Sequence, residues 1–230
     1  MNEIITVGAR VKYAFETTAG ERPTSGYVTL GNVTEAPEIS LSLETIDVSN
    51  IQDKITRYVP GRQDPGGEKQ FTINHTDAGI AEWNTLVAQA ETKKDSNLRL
   101  WWEYRYPNAQ KSFFWCGTPK QIGNSGIQGN SASTITGSVV FEELAGWDTH
   151  STEISTTDTT KSVVKASTAT TTVSNAQGSV KVTSSNPAVA TGAVATTTLT
   201  ITGVDAGTAV LTLEDENGDS CKVVVTCTTT

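Results

Sequence analysis

The stretch from Ser184 to Cys227 constrains the fold more than any other part of this sequence. Its short segments rich in Val and Thr are interrupted by Asn-Pro, Gly-Val-Asp-Ala-Gly and Asn-Gly-Asp. Val and Thr favour half-buried strands, whereas Asn, Asp, Pro and Gly favour turns. Turn signals about every 8–12 residues are typical of a β-sandwich. We therefore predict a small sandwich over residues 161–230, with strands in SVVKAST, SVKVTSS, TLTITGV, AVLTLED and CKVVVTC.

A change in composition divides the 230-residue chain near residue 150. Eight of the twelve residues from Thr149 to Thr160 are Ser or Thr, and a segment with so little apolar surface is typical of a linker. All the tryptophans precede it: Trp83, Trp101, Trp102, Trp115 and Trp147. We therefore expect two separate cores, in a first domain over residues 1–148 and a second over residues 161–230, joined by a linker over residues 149–160.

The first domain is predicted to be mostly β. RVKYAFE, EISLSLE and TITGSVVFEE alternate apolar residues with others, as strands with one buried face do, and FTINH is a further strand. LRLWWEYRY places five apolar or aromatic side chains on one face, and PNAQ then leads into KSFFWCG, so residues 98–117 predict a hairpin. The expected architecture is a sandwich or barrel.

One segment of the first domain has helical spacing instead. In TDAGIAEWNTLVAQAETKK, apolar residues recur at the intervals of a single helix face: Ile80, Trp83, Leu86, Val87 and Ala90. Thr76 or Asp77 is suited to cap its amino terminus. A single amphipathic helix among strands is expected to pack its apolar stripe on the side of a sheet.

The charge and the cysteines exclude several classes of protein. A net charge of −8 lacks the basic footprint of a nucleic-acid binder, and its simplest effect is solubility. Cys221 and Cys227 share one extended segment and would lie about 20 Å apart, beyond the reach of a disulfide. MNEIITVGARVKY lacks the apolar core of a secretion signal, and no window approaches the roughly 18 apolar residues of a membrane span. We therefore expect a chain that is made in, and stays soluble in, a cytoplasm.

The sequence offers little catalytic equipment. His75 and Asp77 with Cys116 as nucleophile form an imaginable constellation, but a polar residue at a strand end beside a helix cap explains His75 more simply. Asp215, Glu216 and Asp219 lack the spacing of a calcium loop, and the Asn-Gly between them is explained by a hairpin turn. We expect no enzyme, no cofactor and no metal site.

The segment NIQDKITRYVPGRQDPGG, residues 50–67, is too long for a tight turn between strands. It combines basic residues with apolar ones: Lys54, Arg57 and Arg62 beside Ile55, Tyr58 and Val59. The pattern alone supports two interpretations equally. One is a partner-binding arm or extended hairpin, and the other is an ordinary mobile loop.

The second domain resembles the group 2 bacterial immunoglobulin-like domain. The resemblance covers about 65 residues and lies in Ser185–Ala190, Ile201–Val204, Ala206–Ala209 and the closing Val223–Val225, in that order. It implies an immunoglobulin-like β-sandwich of the kind that decorates bacterial and phage surface proteins. Weak contacts with a host surface or its carbohydrate are thought to be a trait of that family.

The first domain resembles the major tail tube protein of long-tailed bacteriophages. The resemblance lies in Glu44–Ser49, Ile55–Gly61, Asp64–Gly66 and Phe71–Ile73, followed by the helix with Trp83. It implies rings, expected to be hexameric, whose subunits join their strands into one barrel. It also implies that an extended loop contacts the neighbouring ring, and that the immunoglobulin-like domain projects outward. The loop residues expected to make that contact are Asp53, Lys54, Ile55, Arg57, Tyr58, Val59 and Arg62.

The tail tube resemblance implies a set of partners and a location. The chain would polymerise with itself around a tape-measure protein, meet tail terminator and tip proteins, and let DNA pass through the lumen without specific binding. It would be assembled in the host cytoplasm and reside in the virion, without membrane insertion. Strand edges that a domain of this size leaves open favour pairing around a ring, and an acidic lumen would repel the DNA backbone.

Two other functions remain open from the sequence. One is a host-surface-binding virion protein, an adhesin or receptor-binding protein in which both domains contact the host. The other is a cell-wall hydrolase with a wall-binding domain, which would need a clustered acid–base pair that we do not find in the sequence.

Overall fold

The computed structural model describes residues 7–107, 109–124 and 132–229. The fold is mostly β with one helix, so the predicted class is confirmed. The described residues form two compact units. The first holds the chain up to Arg22 and Leu30–Asp148, and the second holds Pro23–Thr29 and the chain from Thr149 onward. The polypeptide therefore enters the second unit twice.

The elements that precede residue 150 are ten strands and a helix in the described part of the chain. The strands are β1 Arg10–Phe15, β2 Val28–Thr29, β3 Val33–Glu35, β4 Ser42–Asp47, β5 Tyr58–Asp64, β6 Glu68–Asn74, β7 Leu100–Arg105, β8 Lys111–Pro119, β9 Gly123–Asn124 and β10 Thr134–Thr149. The helix α1 spans Asp77–Lys94, between β6 and β7.

A curled sheet forms the body of the first unit. Its strands lie in the order β1, β7, β8, β10, β6 and β3, with β9 beside β10. The predicted hairpin over residues 98–117 is confirmed, since β7 and β8 are antiparallel neighbours with Trp102 opposite Trp115. β10 is longer than the predicted last strand and runs on to Thr149.

The helix packs where its apolar stripe predicts. Thr76 is the N-cap, and its Oγ1 accepts a hydrogen bond of 3.0 Å from the amide of Gly79. Trp83 is fully buried, and its ring centroid lies 5.9 Å from that of Phe71 and 6.2 Å from that of Trp102. Gly137 of β10 makes room for this ring, because a Cβ there would lie 2.5 Å from Cη2 of Trp83. Aromatic packing therefore fixes the helix on the sheet.

The second unit is a sandwich of two four-stranded sheets, as predicted. Its strands after residue 150 are β11 Ser155–Thr156, β12 Thr160–Val164, β13 Thr168–Ser174, β14 Val180–Ser184, β15 Ala190–Ala195, β16 Thr198–Gly203, β17 Gly207–Asp215 and β18 Ser220–Thr228. One sheet has the order β11, β13, β16, β15, and the other β12, β18, β17, β14. Alternate residues such as Val223 and Val225 of β18 point into the shared core and are fully buried.

The segment Thr149–Thr160 differs from the expected linker. It contains β11 and buries Ile154 in the sandwich core, so it is part of the second unit. Pro23–Thr29 adds to the same unit: the amide of Thr152 donates to the carbonyl of Thr24 at 2.8 Å. The Ser/Thr-rich composition does not predict this order, because a single large apolar residue, Ile154, packs the segment into the core.

Candidate assembly hairpin

Strands β4 and β5 form a hairpin that is a sheet of its own. Ile46 pairs with Val59, and Asp47 pairs with Tyr58, with a bulge between Leu43 and Thr45. The long excursion after residue 49 is therefore the return arm of an extended hairpin, the first of the two interpretations that the sequence left open. We call Ser42–Asp64 the assembly arm.

The assembly arm exposes an unusual amount of apolar surface. Seven of the thirteen exposed large apolar side chains in the described part of the chain lie within it: Leu43, Ile46, Val48, Ile51, Ile55, Tyr58 and Val59. A two-stranded ribbon with no layer packed against it is only marginally stable in water. Contiguous exposed apolar residues on a soluble protein mark an interaction surface. The arm therefore presents an apolar surface that the described part of its own chain leaves exposed.

The tip of the arm, Val48–Arg57, is held in shape by its own hydrogen bonds. Asp53 Oδ2 accepts from the amide of Asn50 at 3.0 Å and lies 3.3 Å from the Arg57 guanidinium. The amide of Arg57 donates to Ser49 Oγ at 2.8 Å, and its carbonyl accepts from Val48 N at 2.9 Å. These contacts give the tip a fixed local geometry in the single chain.

The residue directly before the tip, Asp47, is an ionised carboxylate. The Ser49 hydroxyl and its amide, which lies 2.8 Å from Asp47 Oδ1, hold the pKa of Asp47 below its usual value. Hydrogen bonds to the charged form favour that form. Asp47 therefore stays negative at neutral pH and closes the turn that follows β4.

A glycine pair separates the arm from the large sheet. Gly66 and Gly67 follow β5 with φ of +78° and +70°, a region that residues with a Cβ rarely adopt. Asp64 Oδ1 accepts from the amide of Gly66 at 2.9 Å and fixes the first bend. The turn breaks the extended chain between β5 and β6, so the arm and the sheet are distinct ribbons.

The structure places the expected contact residues in two parts of the arm. Asp53, Lys54, Ile55 and Arg57 lie in the tip, whereas Tyr58, Val59 and Arg62 lie on β5. Six of these seven side chains are exposed, while Asp53 is turned inward as the tip's hydrogen-bond acceptor.

Sequence reasoning missed the apolar residues on the other half of the arm. These are Leu43, Ile46, Val48 and Ile51. The apolar alternation in EISLSLE predicts a strand with one buried face, whereas β4 is exposed along its whole length. β4 in fact begins at Ser42, beyond Ile39 and Leu41. Ile46 lies just before the turn-forming tip and Val59 lies just after it. Their positions on either side of a turn were the sequence signal for this strand pairing.

Strand β10 has a second open surface. β6 pairs with Thr134–Val140 only, and β10 continues well beyond that point. Among the described strands, none lies on the β6 side of the seven residues Phe141–Trp147. An open edge of this kind is a template for strand addition.

The imagined catalytic constellation has other contacts. His75 Nδ1 lies 2.7 Å from Ser133 Oγ, and the Cys116 thiol donates to Glu142 Oε2 at 3.6 Å. Burial, chiefly, raises the pKa of Cys116 far above its usual value, so the thiol stays protonated and is a poor nucleophile. Asp215 Oδ1 accepts from the amides of Asn217 and Asp219 at 3.0 Å each, so it organises the β17–β18 turn.

The described residues contain neither a cluster of metal-ligating side chains nor a helix suited to span a membrane. No three His, Cys, Asp or Glu side chains there are arranged to hold a metal ion. In the same ranges, no helix combines the length and apolarity that a membrane crossing requires.

No protein-family model and no curated protein matches the chain. One solved structure that it resembles is the cryo-EM structure of the anti-feeding prophage baseplate, symmetrised sixfold. The TM-score is 0.32 and the identity 8%, over 60% of this chain and 89% of that chain. A likeness this low carries no functional information, whereas the exposed arm does.

Proposed function

We propose that this chain is a self-assembling structural subunit of a phage tail, and more specifically a tail tube protein whose copies form stacked rings. The observation that supports this best is the assembly arm, a preformed ribbon whose apolar side chains are exposed in the single chain. Burial of that surface by further copies would stabilise both the ribbon and the assembly.

The open edge of β10 supports the same proposal. Every second residue of Phe141–Trp147 directs its backbone N–H and C=O groups to this side, where they are available for hydrogen bonding to another chain. Pairing such edges around a closed ring satisfies every subunit and leaves no edge exposed to unwanted strand addition.

The remaining parts of the proposal follow from the tube role. The net charge of −8 favours a lumen that repels DNA and lets it pass. Tape-measure, terminator and tip proteins would contact the ends and the interior of the tube, and the second unit would contact the host surface weakly. We propose no catalytic activity and no cofactor for this chain.

Electron microscopy of concentrated pure protein tests the function, with and without tail extracts as a trigger. We expect rings or tubes for the unchanged chain and none for the double variant Ile46→Asp/Val59→Asp, which places two charges on the arm. The matched control is Val164→Asp/Val204→Asp in the second unit, where both valines are 42% exposed. If the unchanged chain forms no rings or tubes while the second unit binds host cells, the adhesin alternative replaces this proposal.

A further inference from the structure

The turn between β17 and β18 contains the only Asn-Gly pair of the sequence, Asn217-Gly218. Asparagine is one of the thermolabile residues, and its side chain reacts most readily when glycine follows, because no Cβ then hinders the next backbone nitrogen. Every other asparagine of the chain precedes a residue that has a Cβ. The turn therefore holds the asparagine with the most reactive sequence context.

The hydrogen bonds of the turn restrain this pair. The amide of Gly218 donates to the carbonyl of Asp215 at 3.1 Å, and the amide of Asn217 donates to Asp215 Oδ1 at 3.0 Å. Gly218 has a φ of +79°, as expected for the last residue of a three-residue hairpin loop. While this geometry persists, the Gly218 nitrogen is engaged with Asp215.

A segment remote in the chain holds Asn217 from the other side. Asn217 Nδ2 donates to the carbonyl of Tyr27 at 3.2 Å, and the Asn217 carbonyl accepts from the amide of Thr29 at 3.3 Å. Tyr27 is buried, and Pro23–Thr29 belongs to the second unit, as the turn does. Both the side-chain amide and the backbone carbonyl of Asn217 are thus bound by the Tyr27–Thr29 segment.

The reaction open to such a pair needs no reactant besides water. The Gly218 nitrogen attacks Cγ of Asn217, so that an N–C bond forms and the bond from Cγ to Nδ2 breaks. The nitrogen leaves as ammonia, carrying the proton that the Gly218 amide gives up. Water then opens the cyclic imide at either carbonyl, which leaves aspartate or isoaspartate at position 217.

We propose that Asn217 is a deamidation site and that docking of Tyr27–Thr29 on the β17–β18 turn sets the rate of its reaction. The side-chain amide must leave the Tyr27 carbonyl, and the Gly218 amide must leave Asp215, before the ring can close. Local opening of this contact therefore precedes the chemistry. The inference concerns the second unit alone and stands whether or not the chain forms tubes.

The products oppose a return of the segment. Aspartate places a carboxylate oxygen where Nδ2 donated, so two acceptors face each other across the contact with Tyr27. Isoaspartate also routes the main chain through Cβ, which lengthens the turn by a methylene group and displaces Gly218 from Asp215. The reaction should thus detach the Tyr27–Thr29 end of the segment irreversibly.

Peptide mapping by mass spectrometry of the aged full-length chain tests the site. The chain is kept in mildly alkaline buffer, folded or in urea, and conversion of Asn217 is compared with that of Asn175, which precedes Ala176. In urea we expect Asn217 to react faster than Asn175. In the folded chain it should react about 10-fold more slowly or less, the factor that one or two hydrogen bonds supply. An Asn217 that is stable in urea, or equally reactive folded and unfolded, would overturn the proposal.

A pair of variants separates the docked segment from overall stability. Tyr27→Ala removes the side chain that anchors the segment, whereas Leu199→Ala opens a cavity in the sandwich core, away from the turn. We expect deamidation of Asn217 to be several-fold faster in Tyr27→Ala than in the unchanged chain, and nearly unchanged in Leu199→Ala. Circular dichroism melts establish that both variants are folded during incubation. Equal rates in the two variants would contradict control by the segment.

The product can also be imitated directly. Asn217→Asp should speed hydrogen exchange at the amide of Thr29, because the carboxylate faces the Tyr27 carbonyl. Asn175→Asp makes the same change of charge at an exposed residue of the second unit and should leave Thr29 unchanged. Unaltered protection of Thr29 in Asn217→Asp would contradict release of the segment, and this result does not depend on how well Tyr27→Ala folds.

Discussion

Trp101 Nε1 donates a hydrogen bond of 2.9 Å to Glu16 Oε1, and both side chains are buried in the first unit. The same carboxylate accepts from the amide of Gly20 at 2.9 Å, the amide of Arg99 at 3.2 Å and Arg99 Nε at 3.0 Å. Four donors thus satisfy a carboxylate that burial alone would disfavour. Through these hydrogen bonds, Glu16 links the chain just after β1 to the start of β7.

The first prediction concerns this carboxylate. We expect Glu16→Gln to destabilise the chain by about 1–3 kcal/mol, because the amide retains one acceptor but turns an NH2 group toward existing donors. Urea denaturation followed by tryptophan fluorescence measures the change. Glu21→Gln, on an exposed residue of the same loop, is the control and should be neutral. Equal stability of both variants would show that the network contributes nothing.

Glu16 also predicts a pH dependence. Burial raises its pKa, but the hydrogen bonds from Trp101, Gly20 and Arg99 and the charge of Arg99 outweigh burial, so the pKa lies below its ordinary value of 4.5. A lowered folded-state pKa gives stability that is fully present above the unfolded-state value and is lost as pH falls through the folded-state value. Melts between about pH 5 and pH 2 should therefore fall more steeply for the unchanged chain than for Glu16→Gln.

A second prediction follows from Gly137. A Cβ at this position would lie 2.5 Å from the indole of Trp83, which is fully enclosed and whose Nε1 donates to the Lys120 carbonyl at 2.8 Å. Gly137→Ala should cost about 1–3 kcal/mol through overpacking, and near-ultraviolet circular dichroism should report the displaced ring. Gly123→Ala is the comparison, because its nearest contact would be 3.5 Å away. A neutral Gly137→Ala would mean that the helix can move off the sheet at no cost.

The sequence predicted the parts of the fold that depend on one strong local pattern. The helix with its Thr76 cap and the 98–117 hairpin were both expected, because their periodicity and turn chemistry are local. β13 and β15 were missed. β13 buries a threonine, Thr171, and Gly192 of β15 is needed because a Cβ there would lie 2.9 Å from Leu211 Cδ1. Pairing with distant strands, and not local apolar content, defines these two.

The candidate site was predictable in place but not in composition. The basic and apolar mixture after Ser49 supported an arm and a mobile loop equally, and the pairing of β4 with β5 shows an extended hairpin. The inward role of Asp53 and the exposure of Ile46 depend on strand pairing and on the absence of a packed layer, which no local pattern reveals.

The third prediction concerns a buried charge pair. Lys12 of β1 and Glu103 of β7 lie directly opposite in register, and both are fully buried. Lys12→Met removes the positive charge opposite buried Glu103 and leaves the Arg105 guanidinium 3.8 Å from that carboxylate, so the variant should cost about 3 kcal/mol. The double variant Lys12→Met/Glu103→Leu should be more stable than Lys12→Met, because the buried carboxylate is gone as well. Chemical denaturation of both variants measures this, and a double variant less stable than the single one contradicts it.

The fourth prediction concerns the short segment that the amino-terminal part lends to the second unit. The Tyr27 carbonyl accepts from Asn217 Nδ2 at 3.2 Å, and the Asn217 carbonyl accepts from Thr29 N at 3.3 Å. Tyr27 is 1% exposed. Tyr27→Ala should destabilise the second unit by about 3 kcal/mol through cavity formation. Amide hydrogen exchange should show faster exchange in β17 and β18, and unchanged protection there would contradict a role for Pro23–Thr29 in that unit.

The last prediction separates the order of the assembly arm from the stability of the fold. Asp53 receives the amide of Asn50 and pairs with Arg57, so Asp53→Ala should loosen the tip. Because the arm lies outside both cores, the melting temperature should change little. The concentration for assembly should rise several-fold, since each copy must then order its tip on binding. Asp53→Asn keeps the acceptor oxygen, so its concentration for assembly should fall between that of the unchanged chain and that of Asp53→Ala. Sedimentation together with thermal melts measures both quantities, and an Asp53→Ala variant that assembles normally would show that a preformed tip is unnecessary.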